Sequence, residues 1–164
     1  MWYVAVVAPE VVFRGAGGFE LRAVENDFTG RRRVVAEMRA MIARPYREFI
    51  AWGTLYDVHN RGEQARKRGQ VASSLDDLQN RYLPRSMWLE QGTRKKIEGY
   101  MEKARTLFED LSGGVDDLGY ARVRSDIVRR VTRELGPLRR EVEAALGAEL
   151  APPEQSRWRL RRRS

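Results

Sequence analysis

From Arg33 to Asn60 the apolar residues follow the pitch of a helix. Val35, Met38, Ile42, Tyr46, Phe49, Trp52 and Tyr56 succeed one another at steps of three and four, which places them along one side of a helix with 3.6 residues per turn. A stripe this apolar has to be covered, so the chain downstream must supply its partners. Two later stretches qualify. Ile97, Tyr100, Met101, Ala104, Leu107, Phe108 and Leu111 make a second stripe, and Ile127, Val131, Leu135, Leu138, Val142, Leu146 and Leu150 a third. Leu75, Leu78 and Tyr82 form a shorter one between the first and the second.

The residues between the stripes predict where each helix starts and stops. Asn26-Asp27-Phe28-Thr29 offers side chains that accept the free amides of a starting helix, predicted from Gly30 to about Asn60 and ended by Gly62. Pro45 falls inside it, where the missing donor predicts a kink rather than a break, because the apolar phase passes from Ile42 to Phe49 without a slip. Residues 63–72 carry Arg66, Lys67, Arg68 and Gly69 and read as a connecting loop or frayed helix. Ser73 and Ser74, three residues before Asp76 and Asp77, resemble a capping box for a short helix that Pro84 stops. Met87-Trp88-Leu89 then reads as an apolar plug before a start at Gly92-Thr93, with Ser112-Gly113-Gly114 closing the third helix. The last helix is expected from Asp116-Asp117, kinked at Gly136-Pro137 and ended before Pro152-Pro153. Three strong helices and one short one, closely connected, predict an all-α fold: an antiparallel four-helix bundle over residues 30–151, with long kinked first and last helices.

Residues 1–29 are less constrained. Residues 2–8 and 19–24 are rich in Val, Trp, Tyr and Phe around the glycines of Arg14-Gly15-Ala16-Gly17-Gly18. A small β-hairpin packed on the helices, a loosely ordered arm, and an extended start ahead of the domain all stay open. At the other end, residues 152–164 contain too little apolar material to fold alone and are expected to be a disordered basic tail.

The net charge of +8 in 164 residues invites a polyanionic partner, so its distribution matters. Arg157, Arg159, Arg161, Arg162 and Arg163 supply five of those charges, while residues 34–156 hold 21 basic and 19 acidic side chains. The excess therefore sits in the tail. There Trp158 and Leu160 interleave the arginines, a composition able to grip RNA, DNA or an anionic membrane surface. Within the last helix Arg122, Arg129, Arg130, Arg133, Arg139 and Arg140 are the densest basic set, with Arg130–Glu134 and Arg139–Glu143 spaced to form ion pairs at i,i+4. Arginine outnumbers lysine 27 to 4, a bias that GC-rich codon usage can produce on its own.

Three segments together resemble a group of uncharacterised prokaryotic all-helical domains. They are Tyr46-x-x-Phe49-x-x-Trp52, then Leu75-x-x-Leu78-x-x-x-Tyr82, then Met87-Trp88-Leu89-x-x-x-Thr93-x-x-x-Ile97-x-x-Tyr100, over residues 34 to 111. The resemblance implies a helical fold and no catalytic residues. Members of that group often carry an amino-terminal membrane helix, whereas this sequence has no run of 18 apolar residues, and Trp2 to Phe13 is broken by Pro9-Glu10 and lacks a secretion signal's basic start.

The chemistry open to the chain is narrow. Without cysteine there are no disulfides, thiolate ligands or cysteine nucleophiles, and a reducing compartment is allowed. His59 is the single histidine, two residues from Asp57, so a di-iron site with two Glu-x-x-His units cannot form within one chain, and a histidine near a helix end is accounted for by the dipole. Glu98 and Glu102 share a helix face and have Arg94, Lys95 and Arg105 within reach, which reads as a solvated charge ladder. Asp76-Asp77 and Asp116-Asp117 read as helix caps, and no phosphate-cradling glycine motif is present. The expectation is a soluble, cytoplasmic, bacterial, non-enzymatic interaction module without cofactor, metal or small-molecule substrate. It binds a protein partner or itself, and Tyr46, Trp52, Tyr56 and Trp88 are candidate contacts. The alternative is a basic accessory protein that binds nucleic acid or an anionic membrane through Arg157, Trp158, Arg159 and Arg161 to Arg163 together with Arg129, Arg133 and Arg140.

Overall fold

The computed structural model describes residues 16–55, 60–118 and 120–150, and side chains at 29–55, 60–114, 120 and 122–150. All regular structure among these residues is helical: α1 (Ala16–Gly53), α2 (Arg61–Ser86), α3 (Gln91–Leu118), α4 (Tyr120–Arg130), a π turn (Val131–Leu135) and α5 (Gly136–Ala148). None of these helices is long and apolar enough to cross a membrane.

The helices form a bundle around one core to which each of them contributes. The stripe of α1 is buried at Val35, Met38, Ile42, Phe49 and Trp52, as its spacing requires. Phe49 and Trp52 meet Phe108 of α3 with ring centroids 6.3 and 6.2 Å apart in edge-on and tilted arrangements, which suits the aromatic quadrupole. The Tyr100 hydroxyl, also buried, donates to the Ile42 carbonyl of α1 at 3.0 Å. Ion pairs on the outside record the relative course of the helices. Glu37 of α1 meets Arg85 of α2 and Arg44 meets Asp77, so numbers rise along one helix as they fall along the other. The same reversal links α2 to α3 through Arg105 with Asp76 and Glu98 with Tyr82, and α3 to the last helical run through Lys103 with Glu134 and Asp110 with Arg130.

Several boundaries differ from the sequence reading, each for an identifiable reason. Residues 16–29, expected as turn, strand and cap in a hairpin or arm, are the first turns of α1, which runs through the boundary drawn at residue 30; residues 1–15 lie outside the described set. Helix α1 also passes through Pro45, whose ring is buried, and ends at Gly53 rather than Asn60. Its end is closed by Thr54, whose amide and hydroxyl both donate to the Ile50 carbonyl, at 3.0 and 2.8 Å.

Asn60, expected near the end of one helix, is the N-cap of the next. Its side-chain oxygen accepts the Glu63 amide at 2.9 Å, so Gly62 and the expected loop 63–72 belong to α2. Ser73, Ser74, Asp76 and Asp77 therefore lie mid-helix and do not cap. Ser74 is buried and satisfies its hydroxyl by donating to the Val71 carbonyl at 2.8 Å. Pro84 does not stop α2, which continues to Ser86. Likewise α3 starts at Gln91, ahead of Gly92-Thr93, and passes through Ser112-Gly113-Gly114 and the expected start at Asp116-Asp117.

At Gly136-Pro137, where a kink is expected, the helix widens into the π turn. The Gly136 amide reaches back five residues to the Val131 carbonyl. Pro137 has no amide to offer, and a π turn is one of the recognised ways a helix absorbs such a gap.

Candidate functional site

An open groove of about 310 Å³ runs between α2 and α3. Helix α2 supplies Gln79, Tyr82 and Leu83, and α3 supplies Glu98, Met101, Glu102 and Arg105. The spacings, i, i+3, i+4 on one helix and i, i+3, i+4, i+7 on the other, turn both sets toward the same furrow. Leu83 and Met101 make it apolar. Its polar groups are fixed to different degrees. The Tyr82 hydroxyl donates to a Glu98 carboxylate oxygen at 2.7 Å, and burial, followed by that carboxylate, pushes the phenol well above its ordinary pKa. Arg105 closes one end by donating to the side-chain oxygens of Gln79 at 2.8 Å and Asp76 at 3.1 Å. Glu102 forms no ion pair among the described residues and is exposed. The groove is thus acidic on an apolar floor.

One turn further, the α2–α3 corner carries the large apolar side chains that the core leaves out. Leu83, Met87 and Trp88 are 66%, 78% and 39% exposed. Leu83 and Met87 are four residues apart on the same face. Trp88 lies against α1 at Gly30, where a Cβ would stand 3.7 Å from its ring.

Of the residues singled out in the sequence as partner contacts, Trp88 is partly exposed at this corner. Trp52 is not: it is fully buried and belongs to the core, because α3 brings Phe108 against it. Tyr46 is half-buried beneath Arg139, whose guanidinium carbon stands 4.5 Å from the ring centre. Tyr56, Asp57 and His59 fall outside the described residues, as do Arg157 to Arg163 with Trp158.

The expected ion pairs of the last helix form, Arg130 with Glu134 at 2.9 Å and Arg139 with Glu143 at 3.3 Å. Arg129 adds one with Asp126 at 2.6 Å, while Arg133 reaches an acid only at 3.7 Å and Arg140 is exposed beside Gly136. The expected charge ladder of Glu98 and Glu102 with Arg94, Lys95 and Arg105 does not form around Arg105, which turns to α2 instead. Asp76 and Asp77, expected as caps, pair with Arg105 and Arg44.

The sequence reading missed Leu83 and Met87. Leu83 was the visible signal, since it lies next to Tyr82 and off the phase of Leu75, Leu78 and Tyr82. Within Met87-Trp88-Leu89, only Leu89 plugs the core.

No group of three or more His, Cys, Asp or Glu side chains among the described residues is arranged to hold a metal ion. No family model, curated protein or solved structure matches the chain.

Proposed function

We propose that this chain is a non-enzymatic helical interaction module whose binding surface is the α2–α3 corner, and that it takes a protein partner or a second copy of itself there. The four helical runs, with α4, the π turn and α5 counted as one, are proposed to be an antiparallel four-helix bundle that holds this corner rigid. The ion pairs that reverse direction from each run to the next support that arrangement. The observation that carries the functional reading is the exposure of Leu83 in the groove and of Met87 and Trp88 at the turn after α2, in a chain that buries the rest of its described large apolar stripe residues wholly or in part. Clustered exposed apolar groups at a polar rim are characteristic of protein-binding surfaces. The groove's acids belong to that rim. A bacterial, cytoplasmic setting is part of the proposal, drawn from the helical resemblance and the absence of cysteine.

The alternative, binding of nucleic acid or an anionic membrane, is favoured by Arg133 and Arg140, which are exposed on the last helical run. Capture from native lysate with and without nuclease separates the two. The proposal expects the intact chain to retain a nuclease-resistant protein, and the Leu83→Asp, Met87→Asp double variant to lose at least about tenfold of it while keeping its helical circular dichroism. Recovery that collapses with nuclease, or that survives the double variant, contradicts it. On the alternative, five arginines on a single strand would give a log–log salt slope of about −3.5.

A further inference from the structure

We propose that the α2–α3 groove is a docking site for this chain's own residues 151–164, with Trp158 and Leu160 on its apolar floor and the flanking arginines against Glu98 and Glu102. The inference goes beyond the partner-binding reading and does not depend on it, but both use Leu83, so a docked tail competes with the partner for that side chain.

Charge complementarity comes first. The chain as a whole is +8, yet the groove presents Glu98 and Glu102, while the guanidinium at its edge, Arg105, is already committed to Asp76 and Gln79. An acidic furrow on a basic protein selects a cationic occupant. Leu83 and Met101 ask in addition for apolar groups on that occupant, and the sequence Arg157-Trp158-Arg159-Leu160-Arg161 supplies both in alternation. In an extended chain, alternate side chains point to opposite sides. Trp158 and Leu160 would then face the floor together, with Arg157, Arg159 and Arg161 on the other edge, their long side chains able to fold over the rim to the two carboxylates.

The chain beyond α5 is also long enough to reach the groove. The described chain leaves α5 beside the start of α3, where a Glu149 carboxylate oxygen accepts the Glu90 amide at 2.8 Å. From Glu90 to Glu98 and Glu102 is about 12 to 18 Å along α3 at 1.5 Å per residue. The eight residues from Leu150 to Trp158 span up to about 26 Å when extended, enough to cover that path with slack for rounding the helix end. The tether also favours this occupant over a free peptide, since a short linker raises the local concentration to about the millimolar range.

The absence of native cysteine makes the test clean. In the full-length chain, Gln79→Cys is paired with Arg161→Cys, and as control Ser125→Cys, exposed on α4, with the same Arg161→Cys. Both are oxidised at low protein concentration, and the cross-linked peptides are identified by mass spectrometry. The expected result is an intramolecular disulfide that forms at least about tenfold faster for the groove pair than for the control, with the advantage lost at 1 M salt and lost again when Glu98→Lys and Glu102→Lys are added. Helical circular dichroism of the charge-reversed variant confirms that it is folded. Equal rates for the two pairs overturn the proposal. So does a groove-pair disulfide that forms only between two copies, or one whose advantage survives charge reversal. Loss of partner capture by the Leu83→Asp, Met87→Asp variant would leave this cross-link result untouched when read before lysate is added, so the two readings fail separately.

Discussion

Gly53 shows how much one hydrogen atom in place of a methyl group can decide. It ends α1 where α4 crosses, and a Cβ there would stand 2.8 Å from Val128 Cγ2 and 2.9 Å from Ile127 Cγ2. Gly99, in the exposed middle of α3, has nothing within 4 Å of its Cβ position. Alanine gains about 0.5–1 kcal/mol over glycine in a helix interior, whereas overpacking a core costs about 1–3 kcal/mol. Urea unfolding should therefore show Gly99→Ala stabilised by about 0.5–1 kcal/mol and Gly53→Ala destabilised, and equal signs would place α4 elsewhere. Asn60 offers a second test. Because its side chain accepts the Glu63 amide, Asn60→Ala should cost about 0.5–2 kcal/mol by the same measurement. No change would mean that the helix starts at another residue. In the sequence Asn60 looked like an ending, since asparagine followed by Gly62 serves helix ends as readily as starts. Only the amide it captures decides between them.

Among the elements, the π turn is fastened to α3 by its only carboxylate. Glu134 accepts from Lys103 at 2.6 Å and from Arg130 at 2.9 Å, and Arg130 reaches on to Asp110 at 3.0 Å. Hydrogen bonds from Lys103 and then Arg130 hold the Glu134 carboxyl down at about 2, against an ordinary value of 4.5. The folded-state pKa is depressed, so this contribution is complete above about pH 4.5 and is lost as pH falls through the native value near 2. Stability measured against pH should fall over that window with a shallower slope in Glu134→Gln, which should also be less stable at neutral pH. Identical slopes would remove Glu134 from the account. Glu37, held below its ordinary range by Arg85 and then Arg33, contributes to acid sensitivity in the same direction.

The stripes of the elements were legible because burial selects apolar groups at helical spacing: Val35 to Trp52, Ile97 to Leu111 and Ile127 to Leu146 are core as read. Their ends were not. Ser73, Ser74 and Gly113 are weak local signals overridden by packing, a serine hydroxyl being easily satisfied by the preceding turn. The partner of the Glu90 amide, just ahead of α3, was invisible for a different reason, since Glu149 comes from 59 residues away. Of the site, Trp88 was legible as an aromatic outside the main stripes. Which of Tyr46, Trp52 and Trp88 would stay outside depended on where α3 lays Phe108, information no single segment holds.

Across the whole molecule, the apolar side chains divide into those that face a shared interior and a small set left outside for another surface to cover. Helix α2 carries both kinds five residues apart, Leu78 at 1% exposure and Leu83 at 66%. The division makes unequal demands on stability. A buried leucine cut back to alanine loses about 2–5 kcal/mol, while an exposed leucine exchanged for glutamine, a comparable helix former, should change stability by no more than about 0.5 kcal/mol. The most direct measurement is the urea unfolding free energy of Leu78→Ala and of Leu83→Gln, each in the full chain at low micromolar concentration. A loss of about 2–5 kcal/mol is expected for the first and near-neutrality for the second. A Leu83→Gln loss as large as that of Leu78→Ala would mean that Leu83 is part of the interior, and the proposed binding surface would not exist.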